Sequence, residues 1–158
     1  MTDQQKQEFT RRIANANRTG LIVILYDMLF VYLKDVRLAL AKKDSLAVKT
    51  AVRHSDAVLK QLCESLNFAY PVSAELYRIY TFCRKRLAQV LYENTAQGVS
   101  DTERVLAHLY EAFQELEKTD TSETLMKHTQ QVYAGMTYQK ATLTETFQDP
   151  EASRGFLA

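Results

Sequence analysis

The sequence predicts an all-α fold: an antiparallel up-down four-helix bundle with an additional C-terminal helix and a short N-terminal segment. Three observations point there. Only four Gly and two Pro punctuate 158 residues, which suits long helices better than the many turns of a sandwich or barrel. Apolar residues recur at spacings of three, four and seven along most of the chain. One run, Leu21 to Leu33 (LIVILYDMLFVYL), carries a single charge, Asp27, and so has no wet side. In a soluble bundle such a helix must be surrounded by other elements. It is shorter than the roughly 20 apolar residues of a membrane span. Past it the pattern turns amphipathic, with Val36, Leu38 and Leu40 among Lys34, Asp35 and Arg37.

Taken in order, residues 1–16 are polar apart from Phe9 and Ile13. Spaced four apart, these two could share one face of a short helix; the alternative is a frayed terminus. Asn17 is placed to cap the central helix, which should run to Lys42 or Lys43. Asp44-Ser45 makes a corner and caps a second helix over about 46–68, with Val48, Val52, Leu59, Leu62 and Leu66 on its stripe. Pro71 breaks the pattern. A third helix, about 73–94, carries Leu76, Ile79, Tyr80, Cys83, Leu87, Val90 and Leu91, and Gln97-Gly98 should close it in a positive-φ turn. Ser100-Asp-Thr-Glu103 reads as a capping box for a fourth helix, with Leu106, Leu109, Tyr110, Phe113 and Leu116 on its stripe. Asp120-Thr-Ser-Glu123 reads as another, opening the extra helix. The domain reading is an N-terminal segment 1–16, a helical bundle 17–147 and a tail 148–158. The third helix is net positive and the fourth net negative, so the two suit each other as neighbours.

Composition narrows the function classes. A net charge of +1 gives no field to recruit nucleic acid. The N-terminus lacks an apolar signal, so a cytoplasmic protein is expected. Cys63 and Cys83 lie on apolar faces without CxxC or Cys/His spacing, and free thiols are expected. The residues three before His54, His108 and His128 are Ala51, Val105 and Leu125, which excludes the Glu-x-x-His pairs of a di-iron bundle. No catalytic or metal-binding motif is found, and no cofactor is expected. Asp27 has two readings: a general base in an apolar helix, or a carboxylate at the bundle edge bonded by a backbone amide or by an Arg from another helix. With nine Tyr and seven Phe, some aromatics suit the rim of a helix-binding groove.

At Leu25-Tyr26-Asp27, preceded by a capped loop, the sequence resembles the flagellin-specific export chaperone family, FliS, with its Leu-Tyr-Asp signature in the first long helix. The resemblance continues through Leu59-Lys-Gln-Leu62 and Leu66, and through Leu76-Tyr77-Arg78-Ile79-Tyr80 with Arg86-Leu87. The chain departs from the family in having no Trp near the end of the fourth helix and in a longer segment, 119–158. The resemblance implies a cytoplasmic chaperone that binds the disordered C-terminal segment of flagellin, prevents premature polymerisation and delivers its client to the export gate. It implies no membrane insertion and leaves the oligomeric state open. A groove lined by Leu62, Leu66, Tyr77, Tyr80 and Leu87 is expected, with Phe9 and Ile13 covering it. Tyr26 is either structural or groove-facing. The competing expectation is a structural or signalling bundle that dimerises through its C-terminal helix and has no affinity for flagellin.

Overall fold

A computed structural model describes residues 1–126. They form five helices: α1 Asp3–Ala14, α2 Arg18–Ala41, α3 Ser45–Glu64, α4 Val72–Glu93 and α5 Gln97–Thr119. Helices α2 to α5 make the bundle. α2 packs against α3 and α5, and α4 packs against the same two, so the four stand at the corners of a square. Their connections, 42–44, 65–71 and 94–96, are short, as antiparallel neighbours require. α1 folds back along α2, and the run from Leu21 to Leu33 therefore meets α1, α3 and α5. The fully apolar helix does acquire its surround.

Each helix begins for a local reason. Asn17 Oδ1 accepts from Gly20 N at 2.8 Å, and Asp44 Oδ1 accepts from Ala47 N at 2.9 Å, so both expected N-caps form. The N-terminal segment is a helix and carries its own capping box. Thr2 Oγ1 accepts from Gln5 N, and the Gln5 side chain accepts from Thr2 N. Such a box offsets two of the orphan donors of a short helix.

Four boundaries differ from expectation, the first being that α3 ends at Glu64, short of the expected 68. The left-handed C-cap of α4 is Asn94, at φ 51°, and no glycine among the described residues has positive φ. Gly98 instead lies in the first turn of α5, where a Cβ would run into the Arg86 carbonyl and approach Val90 Cγ2 to 2.8 Å. Glycine is needed there for helix contact, not for a turn. In consequence α5 starts before the Ser100 box, and the Ser100 hydroxyl bonds the Ala96 carbonyl within the helix. Asp120 closes α5 and accepts from Ser122 N in a turn, so it opens no helix there; residues 120–126 are non-helical. The rest of the expected C-terminal helix, and the boundary near 147, lie outside the described residues.

The core holds Tyr26, Leu29 and Leu33 of α2, Leu59 and Leu62 of α3, Tyr80 and Leu87 of α4, and Leu106 of α5. A second, separate cluster joins Phe9 and Ala16 to Ile24, with Ile13, Met28 and Val31 around them. Between α4 and α5 the expected charge complementarity is realised by Arg86, whose guanidinium bonds Asp101. That partner draws the Asp101 carboxyl below its ordinary value.

Candidate functional site

The α2 stripe that faces α1 is Ile24, Asp27, Met28 and Val31, at the i, i+3, i+4, i+7 spacing of one helix face. It is apolar except for one carboxylate. α1 lays Phe9 and Ile13 on it, so both are part of a covering helix, with Phe9 only 8% exposed. Arg12, between them on the same turn, places its guanidinium 5.7 Å above the Phe9 ring and donates to Asp27 Oδ2 at 2.5 Å. At the far end of the stripe the Met1 amino group bonds Asp35 at 2.5 Å. α1 thus meets α2 through two apolar anchors and a cation at either end. A helix of 12 residues is marginal alone in water, so this contact is what keeps α1 helical.

Asp27 is held from two sides. Besides Arg12, the Tyr110 hydroxyl of α5 donates to Asp27 Oδ1. Burial, and then that bond to a carboxylate, pushes the Tyr110 hydroxyl up to about 12. Of the two readings of Asp27, the geometry matches the carboxylate at the bundle edge with an Arg from another helix. Tyr26, its neighbour in sequence, turns into the main core. It is fully buried, its hydroxyl lies 2.9 Å from that of Tyr80, and its ring packs on Tyr80, Tyr110 and Phe113. Desolvation raises the ionisation of both Tyr26 and Tyr80 above the ordinary tyrosine value. Tyr26 and Leu25 both lie in the core.

The five residues expected to line a groove fall into two groups. Leu62, Tyr80 and Leu87 are at most 1% exposed, so they belong to the core and offer little free surface, although Leu87 also borders the α3–α4 groove. Stripe residues at the centre of a bundle interface point at the bundle axis, which leaves them to the other helices. Leu66 is half-buried and Tyr77 is 47% exposed, its ring edge-on to Phe68. These two lie where α3 ends and α4 begins, among the exposed side chains Phe68, Tyr70 and Val72. A distinct groove of about 510 Å³ runs between α3 and α4. Val52, Leu87, Ala88 and Leu91 form its floor, and Lys49, Arg53, Arg84 and Lys85 stand round it. Arg84 is engaged by Asp56 at 2.6 Å.

Periodicity could not reveal the α1-facing stripe, because every face of the run from Leu21 to Leu33 is apolar. Arg12 had no signal to separate it from Arg11, and Tyr110 read only as a stripe residue. What did carry a signal was Phe9 with Ile13, and Asp27 as the lone charge. Among the described residues no group of three or more His, Cys, Asp or Glu is placed to hold a metal ion. Cys63 and Cys83 are free thiols, and burial pushes the Cys83 thiol up to about 12. No helix among the described residues is long and apolar enough to cross a membrane.

Comparison with known proteins is consistent with the sequence reading. The family model for the flagellar protein FliS matches residues 1–120. No curated protein matches the chain.

Proposed function

The chain belongs to the flagellar protein FliS family, and we propose that it is a cytoplasmic flagellar export chaperone that holds the C-terminal segment of flagellin. The observation that carries the reading is a family match spanning α1 to α5 together with an apolar α2 stripe that, among the described residues, is closed by a short, separately clustered helix. A segment that must be kept from polymerising needs its apolar face buried and later released. The face under α1 supplies burial of that kind. Folding a disordered client on binding costs it ordering entropy, so one short stripe is not enough and a wrapped interface is required. The α3–α4 groove and the exposed rim at Leu66 and Tyr77 extend the surface available for wrapping. In this reading α1 covers the α2 stripe until the client displaces it, and the chaperone then carries the client to the export gate.

Calorimetric titration with the C-terminal segment of flagellin from the same genome tests the proposal. Near-stoichiometric binding with a large negative heat-capacity change is the expected result. No detectable heat or chemical-shift change, from a protein whose helicity is intact, would remove it.

A further inference from the structure

Building on the chaperone reading, in which α1 holds the α2 stripe until the client displaces it, we propose that Asp27 is the client's cation receptor: the α2 stripe selects an amphipathic helix with a Lys or Arg set between two apolar anchors. α1 displays that arrangement as Phe9-x-x-Arg12-Ile13, with the anchors four residues apart and the cation three after the first. Each part has a partner on α2. The anchors meet Ile24, Met28 and Val31, and Arg12 meets Asp27.

Asp27 is suited to this because its two oxygens have different duties. Oδ1 takes the Tyr110 hydroxyl of α5, a helix of the bundle and not of the cover. Oδ2 takes the Arg12 guanidinium of α1. When α1 leaves, Tyr110 still orients the carboxylate, and its outer oxygen faces the client in a stripe that is otherwise apolar. A client helix with an apolar or acidic residue at that point covers the carboxylate and leaves Oδ2 without a cation, which disfavours it. Asp35, eight residues on, repeats the arrangement at the other end of the stripe, where it holds the Met1 amino group. The two carboxylates stand roughly 12 Å apart along the axis at 1.5 Å per residue. A client with two basic residues about two turns apart therefore engages both.

The test uses the full chain and two peptide probes. The first is the flagellin C-terminal segment with each Lys and Arg replaced by Gln in turn, titrated against the unaltered protein and against Asp27→Asn. One basic position should weaken binding about fivefold in the unaltered protein, a magnitude set by a partly exposed charged hydrogen bond, and should have no effect in Asp27→Asn. The second probe is a synthetic peptide of residues 2–16 and its Arg12→Gln form. The first form should compete with the flagellin segment, and the second about fivefold less well. This comparison alters no residue of the protein, so it holds even if Asp27→Asn does not fold. Flagellin binding in which no basic residue couples to Asp27 overturns cation selection and leaves the chaperone reading standing. Absence of flagellin binding overturns the chaperone reading and, with it, the client assignment. Competition that is insensitive to Arg12 overturns the role given to Asp27.

Discussion

Phe9→Ala isolates the covering role of α1, because Phe9 contributes to the α1–α2 cluster and to none of the bundle's main core. Truncating a buried Phe costs about 3–5 kcal/mol in a well-packed core. Phe9 lies in a small peripheral cluster at 8% exposure, so the lower end applies, about 2–3 kcal/mol, with the loss of its contact to Arg12 included. At 1.36 kcal/mol per decade, this shifts the closed-to-open equilibrium of α1 by roughly 30- to 150-fold. If a client binds only the open form, its apparent affinity rises by the same factor until α1 is mostly open. The assay is calorimetric titration of the full-length variant with the flagellin segment, run beside hydrogen exchange at residues 9–14. Tighter binding accompanied by faster exchange is expected. Faster exchange in α1 with unchanged affinity would refute the reasoning, since the helix would then be loosened without uncovering anything the client uses.

Two further outcomes follow from the interior and from the α1–α2 corner. Tyr26→Phe or Tyr80→Phe alone leaves the other hydroxyl buried without its 2.9 Å partner and should cost about 1–3 kcal/mol, whereas the double variant should lose less than the sum. Urea unfolding of the three variants measures this, and strict additivity would argue against a coupled pair. At the corner, bonds from Thr19, and then from Ser122, draw the Asp120 carboxyl down to about 2. A depressed carboxylate stabilises the fold above its unfolded value of about 3.9 and loses that contribution as pH falls towards 2. Asp120→Asn should therefore flatten the acid limb of stability between about pH 4 and pH 2, read from urea midpoints across that range; an unchanged limb would show that Asp120 does not contribute to it.

The bundle itself was legible because its determinants are local. Caps at Asn17 and Asp44, the break at Pro71 and stripes at helical spacing are short-range features, and each reports on the few residues around it. The family could likewise be recognised from the order and spacing of short motifs. Gly98 was misread because its requirement is a contact with Arg86 and Val90 of another helix, and sequence alone offers a turn as the ordinary reason for a glycine. Leu62 and Tyr80 looked like groove residues for a related reason: a stripe shows that a face is apolar and is silent on whether another helix or a client covers it.

What the sequence by itself determined is the number and order of the bundle helices and the presence of two anchors, Phe9 and Ile13, on a polar N-terminal segment. The tertiary structure alone decided what those anchors touch. The run from Leu21 to Leu33 is apolar all round, so no periodicity distinguishes the side that meets α3 and α5 from the side that meets α1. That choice is made by chain reversal at Asn15–Asn17, which brings Arg12 to Asp27 across 15 residues, and by α5, which brings Tyr110 to the same carboxylate across 83. Long-range pairing of this kind is set by packing geometry, and it is there that the candidate site is built.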